Sequence, residues 1–481
     1  MDEGKYIMQI NRNMSAVIAN NQLLGIEERL SASIERLSSG LKINRASDNP
    51  AGMAISNKMK SQIDALDQAE ANASDGISVV QIADGALNEV SSILQRIREL
   101  SVQAANGMNS FNDRKSMQDE VDELVKEVDR ISSDTEYNTK KLLDGSSNVR
   151  VYGENGTRYQ VSDSVDAKVY SLNVVSVATQ ATVELNYESP QAGGTLEING
   201  VSTSIIAGMS REDYLEAVRS AAAEAGCSVA INETGSKMMI LSDYYGYDEA
   251  ISVSMTEELA VVAGVTNHQD CVYSEDEKAY KIDTVGKDAV VNIPTQIAAA
   301  GFTTTTTVEC TGNRVVVTDN DGFSIDFLLN SEYKPVANAA RGNFEIDVTD
   351  IGSLTIQIGA NEYQTMDVRI DEISSQTLYL DEVDVAVENG ADRAMVTLDE
   401  AIAKVSATRS RIGAFQNRLE YAEKSLSSSV ENITAAYSGI LDTDMAEEMS
   451  EYTQQNILNQ AAISVLSQAN ELPQQVLSML Q

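Results

Sequence analysis

The sequence predicts a mainly α protein with an inserted α+β region. Three observations carry that prediction. Apolar residues advance by threes and fours near both ends of the chain. From about residue 146 to 352 they fall instead in short β-branched runs separated by Gly, Asn and Asp. Helical spacing then returns. The first period holds side chains on one face of a helix, and the second pattern belongs to strands and hairpins. The architecture that follows is a long antiparallel helical bundle or coiled coil built from both termini. A mixed α/β surface lobe is inserted in one of its hairpins.

Leu23, Leu30, Ile34, Leu37 and Leu41 form the first stripe. Val405, Ile412, Phe415, Leu419, Ala422, Leu426, Val430, Ile433, Tyr437 and Ile440 form the second. Neither can stay in water, so the N- and C-terminal stripes are expected to cover each other. The seam assigned on that ground runs through Leu30, Ile34, Leu37 and Leu41 and through Leu426, Val430, Ile433 and Ile440. The steps 422, 426, 430 make either a stutter, which locally unwinds a coiled coil, or no more than a helix-weakening stretch at Ser427-Ser428-Ser429.

Element by element, a first helix is expected from about Ile10 to Gly40, with Gly40 as its stop. Pro50 suits the first turn of a second helix running to about Asn106. Its face is marked by Ile63, Leu66, Ala73, Ile77, Val80, Leu87 and Leu94 and diluted by Ser74, Asp84 and Ser91. A third helix spans about Asn112 to Ser132, with Met117, Val121, Leu124, Val128 and Ile131 inward, before a turn at Leu142–Gly145. Strands follow at Val174–Val177, Thr182–Leu185 and Arg314–Thr318, with helical pattern at Glu212–Ala225 and Pro294–Ala300. Gly194–Gly200, that first helix, Val229–Asn232 and Met239–Leu241 read as a β-β-α-β-β unit. Helix resumes at about Thr397.

Composition narrows the function classes. The chain has 481 residues, a net charge of −38 and no Trp. So acidic a surface disfavours nucleic acid, whose phosphates call for Lys and Arg. No apolar run reaches membrane-span length. The acidic lead Met1-Asp2-Glu3 lacks the pattern of a secretory signal peptide. Cys227, Cys271 and Cys310 are odd in number and show no C-x-x-C spacing, which argues against a disulfide framework or zinc knuckle. His268 is the only histidine, so neither a Ser-His-Asp triad elsewhere nor an H-E-x-x-H zinc site can be built. Acid pairs such as Asp381-Glu382 and Glu447-Glu448 read as solvated faces in so acidic a chain. No catalytic, cofactor or metal residue is assigned. Thr303–Thr307 reads as strand, with O-glycosylation as the sharper alternative.

Several long motifs carry a family resemblance. Ile34-Glu35-Arg36-Leu37-Ser38-Ser39-Gly40-Leu41-Lys42-Ile43-Asn44 and Asp48-Asn49-Pro50-Ala51-Gly52-Met53-Ala54-Ile55-Ser56 resemble the N-terminal signature of bacterial flagellins. So do the run Leu94–Gln103 and, at the other end, Ser464–Ser478. The resemblance covers roughly residues 8–145 and 353–481. Met8-Gln9-Ile10-Asn11 resembles a flagellin start, leaving residues 1–7 as an extension. In short flagellins a stretch like Leu354–Glu362 follows directly on the Leu-Asp-Gly turn, so residues 146–352 read as an insertion at a surface turn, where it costs little. The β-β-α-β-β unit resembles a module found inside many flagellins.

The resemblance implies a structural subunit, not an enzyme, that polymerises into the bacterial flagellar filament for motility. It implies export through the flagellar channel without a cleaved signal, and an extracellular destination. The partners it implies are further copies of the chain, an export chaperone, the cap protein and the hook–filament junction protein. No cofactor, nucleic acid or membrane insertion is expected. It places inner-layer helices at 1–48 and 430–481, and a core bundle with a small β-hairpin at 49–145 and 353–429. The exposed insert at 146–352 is divided at about 175–265 and 267–352. Gln95, Arg96, Arg98, Leu100, Gln103 and Glu120 match the surface through which flagellins contact Toll-like receptor 5. Val476, Leu477, Met479 and Leu480 resemble the tail read by chaperones and cytosolic sensors. The rival readings are a hook–filament junction protein, which shares such terminal helices, and a secreted adhesin or carbohydrate enzyme housed in the insert.

Overall fold

Two of the described helices are more than fifty residues long. The computed structural model describes residues 13–162, 164–232, 235–247, 249–265, 271–274, 278–294, 300–335, 342–349, 351–387 and 389–479, with side chains to residue 471. Seven helices are described: α1 (Met14–Ser39), α2 (Pro50–Ala104), α3 (Phe111–Asp134), α4 (Arg211–Glu224), α5 (Glu257–Val262), α6 (Gly390–Leu441) and α7 (Met445–Met479). All the longer strands lie between α3 and α6. His268, Ile10 and the 295–299 part of the expected Pro294–Ala300 helix lie outside the described residues. None of the described helices is long and apolar enough to cross a membrane.

Local chemistry explains the helix boundaries. Asn13 caps α1 by accepting from the Ala16 N–H, 3.1 Å away. Gly40 ends it in the left-handed region, at φ 73°, with its N–H on the Arg36 carbonyl. Asn49 caps α2, accepting from the Gly52 N–H at 3.0 Å, and Pro50 follows at the first turn. A Cβ on Gly52 would meet the Ile43 side chain at 2.7 Å, so this turn needs the small residue. Ser110 and Asp113 close a reciprocal capping box on α3.

By contacts the chain forms two units. One comprises residues 1–74, 357–365 and 420–481; the other comprises 75–356 and 366–419. In the second, the buried face of α2 runs through Gly76, Val80, Ala83, Leu87, Val90, Leu94, Ile97, Ser101 and Ala104. That strict three-four alternation meets the same alternation on α6: Ala391, Ala394, Leu398, Ala401, Val405, Thr408, Ile412 and Leu419. Ion pairs Asp84–Arg409 at 2.9 Å and Arg98–Asp399 at 2.6 Å run alongside and set the two helices antiparallel. Ser74, Asp84 and Ser91, expected to dilute this face, lie off it. Ala and Gly supply the steps that large apolar residues do not.

In the first unit, Leu66 and Ala69 of α2 pack on Leu426, Val430 and Ile433 of α6. The α1 helix pairs instead with α7. This corrects the expected mutual cover of the N- and C-terminal stripes. The α6 stripe covers α2, and the partner of α1 is a separate helix beyond a break at 442–444. Asp444 makes that break by accepting from the Ala446 and Glu447 N–H groups at 2.8 and 3.2 Å.

The region between α3 and α6 holds two apolar cores. One lies between a three-stranded sheet (182–186, 237–242, 227–231) and a five-stranded sheet (271–274, 279–285, 250–256, 194–198, 201–205), with α4 and α5. The two hairpins of the expected β-β-α-β-β unit are present but belong to different sheets over one core. The other core lies between two four-stranded antiparallel sheets, ordered 290–292, 169–176, 344–348, 151–153 and 307–311, 314–318, 324–329, 156–161. Tyr159, Phe327 and Phe344 stack through it at centroid spacings of 5.6 and 5.0 Å. Its strands come from both ends of the insert, so residues 267–352 alone do not close it.

Burial predicts unequal costs along these seams. Leu87→Ala, at a position with no exposed surface, should lower unfolding stability by about 2–5 kcal/mol. Ile34→Ala, at a position 49 % exposed, should change it by no more than about 0.5 kcal/mol. Denaturant unfolding of the two variants measures the difference.

Candidate functional site

Three surfaces bear on function: the α1–α7 seam, a patch on α2 and α3, and a cleft between the strands and α6.

The α1–α7 seam is antiparallel. Asn13 Nδ2 donates to the Ala469 carbonyl at 2.7 Å near one end, and Arg36 lies 3.5 Å from Glu448 near the other. Beside that second end, Leu41 bridges Asp442 and the Thr443 N–H donates to the Gly40 carbonyl at 3.0 Å. The covered face of α1 is Ala16, Ala19, Leu23, Ile26, Leu30, Ser33 and Leu37, again in threes and fours. Leu30 and Leu37 were placed on this face by sequence; Ile34 was too, but it points outward. Leu41 lies in the turn beyond the helix. Leu426, Val430 and Ile433 face α2, and Ile440 is half-buried near the end of α6.

The facing stripe on α7 is Glu448, Tyr452, Gln455, Asn459, Ala462, Leu466 and Ala469. It holds the heptad spacing with mostly polar or small residues, so a search for large apolar side chains passes over it. Ser33 Oγ, Glu448 Oε1 and Gln455 Oε1 are buried with no hydrogen-bond partner among the described residues. Such groups weaken a seam, because their hydration is lost without replacement. The Asp444–Glu447 capping signal was the legible sign of α7. The side chains of Val476, Leu477 and Met479, and all of Leu480, lie outside the described residues.

On the α2–α3 patch, Arg96 donates to Glu120 through Nε at 3.1 Å and Nη2 at 2.7 Å, and pairs with Glu99 at 3.4 Å. The Glu120 carboxylate raises the Arg96 pKa further above its ordinary value. Arg98 reaches Asp399 of α6. Gln95 and Gln103 are exposed beside them. Leu100 is 2 % exposed and offers no side chain to a partner, which corrects its assignment to a contact surface. The spacing explains this: Leu100 follows Ile97 by three residues on the buried face. Val102, exposed, is the apolar residue this patch presents, and Asp399 and Glu99 join its charge network. None of the three was singled out from sequence.

The cleft encloses about 1590 Å³ between the strands at 156–161 and 311–316, the loop at 243–249 and one face of α6. Arg158 and Arg314 both stack on the Tyr379 ring, at 5.2 and 4.6 Å from its centroid. Arg314 also binds Asp326 at 2.9 Å and Glu400 at 2.7 Å, Arg158 binds Asp381 at 2.5 Å, and Arg393 binds Glu249 at 2.7 Å. These pairs tie the strands to α6 and to the segment before it. Burial raises the pKa of Tyr379, Tyr244 and Glu382. No group of acidic, His or Cys side chains suited to a metal occurs among the described residues.

The orphaned amide in the α1–α7 seam gives a direct test. Gln455→Leu replaces a buried polar group with an apolar one of similar volume and should strengthen the pairing by about 1–3 kcal/mol. Slower amide hydrogen exchange across residues 14–39 would register the gain.

The comparisons with known proteins converge on one family. Residues 10–148 match the model for the bacterial flagellin N-terminal helical region, and residues 395–480 match its C-terminal counterpart. A flagellin of Clostridium tyrobutyricum is 34% identical over 97% of this chain and 100% of its own length. A flagellin of Salmonella typhimurium is 30% identical over 98% of this chain and 99% of its own. Flagellin D of Vibrio anguillarum is 31% identical over the same shares. The chain belongs to the bacterial flagellin family.

Proposed function

We propose that this chain is the subunit of an extracellular flagellar filament and serves motility by polymerising. One observation carries the reading. Met14, Val17, Ile18, Leu24 and Ile34 stand exposed on α1, and Met449, Ile457, Leu458, Ile463 and Val465 stand exposed on α7. A helix pair that leaves so many apolar side chains uncovered gains from further helices, and neighbouring copies supply them in an open helical polymer. In this reading residues 1–48 and 430–481 form the inner layer. Residues 49–145 and 353–429 form the wall, and 146–352 face solvent. The weak seam suits a chain that leaves through the flagellar channel loosely folded, helped by a chaperone that reads the tail, and folds its ends beneath the cap protein. At the other end of the filament the junction protein would take up the same helices. Purified chain seeded with filament fragments should grow into micrometre-long tubes in electron micrographs. Growth that stops at short oligomers would point to a junction protein and sink the proposal. Ile457→Asp should block growth while leaving the melting of the α2–α6 bundle unchanged.

A finer reading concerns the α2–α3 patch. Arg96, Glu120 and their neighbours Gln95, Arg98 and Gln103 would engage Toll-like receptor 5 when the chain is monomeric. Its support is the exposed Arg96, held by Glu120, since Arg is among the residue types enriched in interface hot spots. Arg96→Ala should weaken receptor binding about tenfold in a direct binding assay, with circular dichroism unchanged. Equal binding by the variant would remove the patch from the receptor surface.

A further inference from the structure

The cleft against α6 contains an amine that the filament reading does not use. Lys404 lies on the flank of the buried α6 face, between the fully covered Ala401 and Val405. Ala403 and Ala407 sit on the same flank, and their short side chains leave the cleft open around it. Lys404 Nζ donates to the Thr377 carbonyl at 3.1 Å, and no carboxylate among the described residues comes within ion-pair distance of it. The charged groups that act on it are Asp326, Arg314, Glu372 and Glu400. Arg314 is itself held by Asp326 and Glu400, so those two acids are already engaged.

We propose that Lys404 is a reactive amine and that this cleft is a modification site for small aliphatic aldehydes. The Nζ lone pair adds to the carbonyl carbon and an amine proton passes to the oxygen, giving a carbinolamine. Loss of that oxygen as water leaves a C=N bond on Lys404. An added hydride donor fixes the product as a secondary amine.

Burial supports the chemistry, because desolvation lowers the Lys404 pKa to about 8 and so leaves a sizeable neutral fraction near neutral pH. A solvated lysine holds almost none there, since its pKa is about 10.4. Lys60 and Lys126, with side chains 63% and 69% exposed, are the solvent-exposed references, and the Glu123 carboxylate raises the Lys126 pKa further above its ordinary value.

The test uses the full chain with glyceraldehyde and cyanoborohydride, with adducts mapped by peptide mass spectrometry. At pH of about 7.5 the yield at Lys404 should exceed that at Lys60 and Lys126 by about tenfold or more. Its rate should level off above pH of about 8, while the reference lysines keep accelerating, and urea should abolish the preference. Ala407→Leu fills the cleft beside the amine without altering it and should lower the Lys404 yield by about fivefold. Equal labelling of all three lysines would overturn the proposal. So would a preference that survives urea, or an unchanged yield in Ala407→Leu.

Discussion

A helix of more than fifty residues can bury one continuous face only if another of similar length runs beside it. Within the unit of residues 75–356 and 366–419, α2 and α6 meet that constraint through Gly76–Ala104 and Ala391–Leu419. Their shared three-four alternation keeps the contact on one face of each helix. Small residues are as necessary as large ones: a Cβ on Gly76 would meet Ile356 at 2.6 Å and Leu419 at 3.3 Å. Charges lie along the flanks, where Asp84–Arg409 and Arg98–Asp399 set direction and register more than stability.

The pairing of α1 with α7 follows the same geometry with different chemistry. Its spacing is equally regular, yet Ser33, Glu448 and Gln455 occupy positions where Leu or Ile would bind more tightly. Buried polar groups in a coiled coil trade stability for register. A seam of this kind, with apolar residues left on its outer faces, suits segments that gain further neighbours on assembly. The bundle around Leu87 and Leu94 has no such requirement, and its buried hydroxyls Ser101 and Thr408 are hydrogen-bonded, to the Ile97 carbonyl and the Asp371 carboxylate.

Charge and aromatic contacts attach the strand-rich region to α6 and to the segment before it. Tyr379 against the Arg158 and Arg314 guanidiniums, and Arg393 on Glu249, bind it to α6 and to the segment before α6. Its two cores are complete without the helical bundle. That arrangement leaves a roomy cleft at the junction and places Lys404 inside it.

Much of this was legible in the sequence, because helical and strand periods are local properties. The stop of α1 at Gly40, the ends of α2 and α3, the Pro50 start and the change of period near residue 146 could all be read from neighbouring residues. So could the family, whose motifs lie in the helical termini. Three things could not be read this way. Which stripe covers which depends on three-dimensional proximity, so α6 meets α2 and α1 meets α7, whose polar heptad offers no hydrophobic signal. Whether Ile34 faces inward depends on the phase of a helix against its partner, which periodicity leaves open by about one position. The burial of Lys404, and the opposite sheets taken by the two hairpins, arise between segments far apart in the chain. Local spacing determined the elements, and long-range packing decided which of their faces are functional.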